Sequence, residues 1–190
     1  MLIGLAAAIS LFGLAASASA LTISPSGAYT ATATGATVLT FGSNGQRLNC
    51  TASTIVATVD SAGVGSSASG TTRYSGCTNA LLGTFSVTQS SAWGVNVILT
   101  TGNVGLAVTV PARGVTITSG ACSFTASGTV TVSRAYAALP AAVAVTDVFP
   151  TTSSALTVDS VSGCSPLLTT VGLAATYSGS YTLNRAVTVS

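Results

Sequence analysis

The chain of 190 residues carries five Arg, three Asp and no His, Glu or Lys, for a net charge of +2. Most enzyme mechanisms need a group titrating near neutrality or paired carboxylates, and most metal sites need imidazole, thiolate or carboxylate ligands, so this composition points away from both. Charged residues make up 4% of the chain against about 25% in an ordinary soluble protein, so a water-facing surface must be built from hydroxyls, Asn and backbone; +2 gives nucleic acid no strong attraction.

The chain opens on an apolar run, Leu2 to Leu14, followed by small residues ending Ala18-Ser19-Ala20. That length and ending fit a secretory signal peptide cut before Leu21. No Lys or Arg precedes the run, so a retained anchor helix stays open as the other reading of residues 1–20. Residues 21–190 are the right size for a single β domain with a substantial core.

Ser43-Asn44-Gly45 is a hairpin signal, and Cys50 then begins a strand rich in Thr, Ser and Ala. A break is expected over Ser61–Gly70. Beyond it, period-two alternation dominates. Phe85 with Val87, Val95 with Val97 and Leu99, and Leu106 with Val108 and Val110 each share a face. So do Val115 with Ile117, Val130 with Val132, and Leu156 with Val158. Breaks are expected at Thr101-Gly102-Asn103, Pro111–Gly114 and Ser119-Gly120. Ala135–Val145 is the one stretch with helical character, and Pro140 splits it. In the last clear stretch Leu173, Ala175, Tyr177, Gly179, Tyr181 and Leu183 line one face, while Thr176, Ser178, Ser180 and Thr182 line the other. The pattern predicts an all-β fold of roughly ten or more short strands, an antiparallel β-sandwich or barrel.

Four cysteines, Cys50, Cys77, Cys122 and Cys164, lie beyond the apolar segment, and an even number in an exported chain reads as two disulfides. No Cys-x-x-Cys pair or His accompanies them, which disfavours a metal site. An internal repeat selects among the three pairings. Ser75-Gly76-Cys77-Thr78-Asn79-Ala80-Leu81-Leu82 resembles Ser162-Gly163-Cys164-Ser165-Pro166-Leu167-Leu168, and upstream of each a cysteine opens another strand. A composition this biased also produces such likenesses by chance. Two halves on one plan, about 21–100 and 101–190, would pair Cys50 with Cys77 and Cys122 with Cys164. Chain-entropy arguments put their contributions at roughly 3.5 and 4 kcal/mol.

No catalytic, cofactor-binding or metal-ligating set assembles from the remaining residues. Serines and cysteines lack a His or Lys base. Asp60 and Asp159 lack the Asp-Thr/Ser-Gly turn of aspartic proteases, and Asp147 follows an apolar run; all three read as structural or solvated. Thr-x-Thr runs such as Thr30-Ala31-Thr32 resemble ice-binding arrays, but no solenoid period would hold them in register. Trp93, in Ala92-Trp93-Gly94, is either a core anchor or a stacking platform for a ligand. Tyr177 and Tyr181 belong to the apolar stripe. Arg73 and Tyr74, close to Cys77, form the most suggestive polar–aromatic pair for a ligand surface.

The Ala/Thr/Gly/Val-rich strands, the two cysteine pairs and the closing stretches Leu156–Cys164 and Ala175–Tyr181 resemble a group of small exported β-proteins of high-GC Gram-positive bacteria. A looser likeness is to the neocarzinostatin-type apoproteins, which are charge-poor, two-disulfide β-sandwiches that hold an apolar chromophore. Those close short loops with their bridges, whereas longer segments separate the cysteines here, so no binding residues are carried over.

The expectation is a secreted or cell-surface, non-enzymatic β-protein with a structural, adhesive or self-associating role, meeting copies of itself or cell-wall glycan. The alternative is a carrier for a small molecule or glycan, with a cleft near Trp93. A membrane β-barrel, which the mean hydropathy of +0.70 allows, is the third reading; an aromatic content of 6% is poor material for two interfacial girdles.

Overall fold

A computed structural model describes residues 22–41, 45–59, 67–100, 102–138 and 141–190. The apolar segment 1–20, Asp60, most of the Ser43–Gly45 turn and most of the Ser61–Gly70 break lie outside the described residues. Among the described residues fourteen strands occur: β1 (Ile23–Ser24), β2 (Gly27–Ala33), β3 (Thr37–Phe41), β4 (Gln46–Val59), β5 (Ser67–Asn79), β6 (Gly83–Gln89), β7 (Trp93–Thr100), β8 (Asn103–Ser119), β9 (Cys122–Ala135), β10 (Ala141–Val143), β11 (Phe149–Ser162), β12 (Ala174–Ser178), β13 (Ser180–Leu183) and β14 (Val187–Val189). No helix is present among the described residues, and Ala141–Val143 within the Ala135–Val145 stretch is strand.

Eleven of these strands form one sheet that closes on itself. Its staves follow chain order, alternately up and down: β2 continued by β3, β4, β5, β6 continued by β7, β8, β9, β11, and β12 continued by β13. The last stave pairs back onto the first, through Ala175–Ser178 with Val38–Phe41 and through Tyr181–Leu183 with Ala31–Ala33. The result is an eight-stave up-and-down antiparallel barrel, not a sandwich. Five staves are single strands of 13 to 17 residues, longer than the sequence suggested. Pro111–Gly114 is not a break: β8 runs through it as a bulge, with the register against β9 shifting between Val110 and Val115. A strand that long must coil strongly to stay in a closed sheet, and a bulge supplies the local bend. β5 likewise begins at Ser67, inside the expected break.

β1, β14 and β10 make a separate three-stranded sheet, with β14 in the middle, and it packs Ile23, Val143, Val187 and Val189 against one end of the barrel interior. The two disulfides lie at the opposite end. Cys50 and Cys77 face each other across β4 and β5, and Cys122 at the start of β9 joins Cys164 just past β11. Each half of the chain thus supplies four staves, and in each half the bridge ties the second stave to the third. The two Ser-Gly-Cys glycines match in detail. Gly76 and Gly163 have φ of 58° and 66°, and a Cβ on them would run into Thr51 Oγ1 and Ala121 O, next to the partner cysteines. Only glycine fits both constraints without strain.

Inward positions follow the predicted alternation. Val95, Ile117, Phe124, Val158, Tyr181 and Phe41 are all essentially inaccessible. Outward positions of the staves are mostly Thr, Ser, Ala, Asn and Arg, with Val56 an exposed apolar exception, and are cross-linked by hydroxyl pairs such as Thr125–Ser160 and Ser90–Thr116, both 2.7 Å. Such cross-strand pairs let a nearly uncharged wall stay hydrated and in register.

Candidate functional site

Halfway along the barrel four of the eight staves are interrupted or bulged: β2/β3 at 34–36, β6/β7 at 90–92, β8 at 111–114 and β12/β13 at Gly179. At the same level β4 and β5 change face together. Cys50 and Cys77 point inward, Thr51, Ala52, Ser75 and Gly76 are exposed, and the next inward residues are Ser53 and Tyr74. The waist therefore turns a polar–aromatic layer into an otherwise aliphatic interior. Ser53 Oγ and Tyr181 OH pair at 2.8 Å, and the Tyr181 and Tyr177 hydroxyls pair with each other. Tyr74 meets Tyr177 edge-on with ring centres 6.4 Å apart. Burial, then the neighbouring tyrosines, pushes the Tyr74 phenol well above its ordinary range; burial does the same to Tyr181.

This layer separates two interior spaces. Towards the cap sheet lies a cavity of about 70 Å³, walled by aliphatic side chains with Phe149, Tyr29 and Tyr181. Towards the disulfides lies one of about 60 Å³, bounded by Trp93, Tyr74, Val87, Thr37, Tyr177 and neighbouring aliphatic residues. Ile55, Val132 and Tyr181 line both. Trp93 is 5% exposed and its Nε1–H donates to Gly114 O at 2.9 Å, which anchors the indole to the β8 bulge. The indole forms part of the wall of that inner cavity.

An open groove of about 620 Å³ runs outside that wall. β5 pairs with β6 only from Cys77 to Asn79 and with β7 only from Ser67 to Gly70. Between these points the two staves part. Gln89 replaces the missing ladder: its Oε1 accepts from the Thr72 N–H at 2.5 Å, and its Nε2 donates to Gly70 O at 2.9 Å and Ser91 O at 2.6 Å. The groove is lined by Thr71, Arg73, Thr88, Ser90 and Ser91 on its polar side. Tyr74 and Val87 form its floor, and the same two residues wall the inner cavity. Arg73, Tyr74 and Trp93, singled out separately in the sequence, therefore meet at one place: Arg73 on the outer lip, Tyr74 at the partition, Trp93 inside.

Sequence reasoning missed Gln89, Ser53 and Thr37. A signal was present for Gln89, which continues the inward phase of Phe85 and Val87 while being polar. Ser53 gave none, because the simultaneous change of face in β4 and β5 is invisible to a strict period of two. Asp159 serves the fold: it accepts from the Arg113 N–H at 2.8 Å and from Ser127 Oγ at 2.6 Å, holding the bulge residue Arg113 at a φ of 56°. Asp147 accepts from Tyr136 OH at 2.8 Å and the Ala144 N–H at 2.9 Å, and pairs with Arg134 at 3.0 Å. Burial alone would raise its carboxyl, but these three partners outweigh it and hold it below its ordinary value. The same contact, after burial, helps push the Tyr136 phenol up to about 12. No family of known proteins, no curated protein and no solved structure matches the chain.

Proposed function

We propose that this is an exported, non-enzymatic binding barrel that carries a small molecule in the paired groove and cavity beside Trp93. The supporting observation is the shared partition: a 620 Å³ polar groove is separated from an apolar 60 Å³ cavity by Tyr74 and Val87, at the place where Gln89 alone bridges the staves. Ligand sites combine a largely apolar recess with a few polar groups that fix orientation. Here the hydroxyls of Thr71, Thr88 and Ser90 with Arg73 would hold the polar part of a ligand, and the cavity its apolar end. Two disulfides suit an oxidising compartment, which supports export. The hydrogen-bonded roles of Asp147 and Asp159, in a chain without His, Glu or Lys, support binding over turnover.

Trp93 is the single tryptophan, so its fluorescence reports on this site alone. Titration with a panel of small amphiphiles, apolar molecules and glycans should give saturable shifts in emission from at least one, lost on Trp93→Phe only as signal and retained as heat by calorimetry. No saturable response from any class counts against the carrier reading.

A second reading keeps the surface role. Closure removes most of the free strand edges that would favour edge-to-edge assembly, so self-association has little basis in strand pairing. It finds a different basis in Leu81 and Leu167, 74% and 77% exposed, which stand in the repeated loops on the disulfide rim. A membrane barrel is disfavoured, since the outward residues of the staves are hydroxyl-bearing and small where an apolar band is required.

A further inference from the structure

The wall of the cavity beside Trp93 holds one polar atom with nothing to bond. Thr37, at the start of β3, is 1% exposed and lines the cavity, and its Oγ1 has no hydrogen-bond partner. A buried hydroxyl left unsatisfied costs about 1–3 kcal/mol, so natural folds pair such groups with protein, water or ligand. A water needs two to four polar partners to be held. Most side chains lining this cavity are aliphatic; of its phenols, Tyr177 and Tyr181 are already joined to each other and to Ser53, and Tyr74 also borders the open groove. At about 60 Å³ the space equals roughly two water volumes of ~30 Å³ each, too small for a sugar ring or an extended chain.

From these observations, and resting on the carrier reading above, we infer that the cavity takes the end of a small neutral ligand bearing one oxygen on an otherwise apolar body. A short-chain alcohol, ketone or aldehyde has that chemistry. Its oxygen pairs with the Thr37 hydroxyl, which can donate or accept as required, while its carbon skeleton packs on Trp93 and the valines of β8. Access runs from the groove past Tyr74 and Val87. Discrimination follows from the asymmetry of burial: a hydrocarbon of the same shape leaves Thr37 unpaired, whereas the oxygenated ligand satisfies it.

The test compares matched pairs small enough for the space, ethanol with propane and acetone with isobutane, on the disulfide-intact protein and on Thr37→Val. Binding is read by Trp93 fluorescence and by methyl shifts in heteronuclear NMR. Wild type should favour the oxygenated member about tenfold, as expected for one satisfied hydrogen bond. Thr37→Val, nearly isosteric, should keep or raise the melting temperature, abolish the preference and leave hydrocarbon binding unchanged. Equal binding of both members to wild type, or a preference that survives Thr37→Val, overturns the inference while leaving the carrier reading standing. Absence of any response from either member of both pairs, with Trp93 and the cavity methyls unmoved, removes the cavity as a site and overturns the inference, while the carrier reading is decided by the wider panel titration.

Discussion

Single residues decide whether the waist layer holds. Tyr181 is 1% exposed and its hydroxyl links Ser53 to Tyr177. Tyr181→Phe keeps the ring and strands the buried Ser53 hydroxyl and that of the half-buried Tyr177, so urea denaturation should show a loss of about 1–3 kcal/mol. Ser53→Ala, which leaves Tyr181 still paired with Tyr177, should cost less. Equal losses would mean the ring contacts, not the hydroxyl relay, matter at this level. The two Ser-Gly-Cys glycines set a companion expectation. Gly76→Ala and Gly163→Ala each impose a left-handed φ on a residue with a Cβ and drive that Cβ into a neighbour. Each should lower stability by at least about 1–2 kcal/mol, with similar values for the two because the halves use them alike.

Among the elements, the seam between β5 and the β6/β7 stave is the weak line of the wall. Gln89→Ala removes the amide that satisfies the Thr72 N–H and Gly70 C=O. The expected result is faster amide exchange at Thr72 and faster quenching of Trp93 by acrylamide, with the melting temperature lowered modestly. Unchanged quenching would show that Tyr74 and Val87 seal the cavity without help from the strap. The corresponding seam in the second half, β11 against β12 and β13, is held by Thr151 to Gly179 at 2.8 Å and Ser154 to the Tyr177 N–H at 2.8 Å, and should not open in the same variant. What the sequence made legible lies at this scale. The inward phases of Val95 with Val97, Val108 with Val110, and Ala175 with Tyr181 are real strand faces, and the Ser-Gly-Cys repeat selected the observed cysteine pairing. Closure was not legible, because pairing between the first stave and the last leaves no local mark in either. The bulge at Pro111–Gly114 read as a turn because Pro and Gly punctuate both. The groove escaped notice because it arises where two strands fail to pair, and a missing ladder has no residue signature beyond one inward-phased Gln89.

For the whole molecule, the absence of groups titrating near neutrality predicts an unusually flat pH response. The chain has no His, and all four cysteines are in disulfides. Asp147, held below its ordinary value by its partners, contributes stability that is full above the unfolded carboxyl range and fades as pH falls through its folded value. Tyr136, raised to about 12, with Tyr74 and Tyr181 also raised, contributes stability that is full below the unfolded phenol range and is lost as pH climbs through the folded values. The denaturation midpoint should be level from about pH 5 to 9 and fall on both sides; a step between about pH 6 and 8 has no source in this chain. Reduction of both bridges should cost several kcal/mol, the chain-entropy terms being roughly 3.5 and 4 kcal/mol, and should loosen the disulfide rim before the cap-sheet end.

The proposed carrier role requires the barrel to keep an apolar space beside Trp93 that small molecules can enter. Xenon enters apolar cavities of this kind without needing a hydrogen bond, so a crystal of the protein pressurised with xenon tests that space directly. A strong xenon peak is expected between Trp93, Val87 and the valines of β8, with the barrel otherwise unchanged. A filled, collapsed interior with no peak there would contradict it.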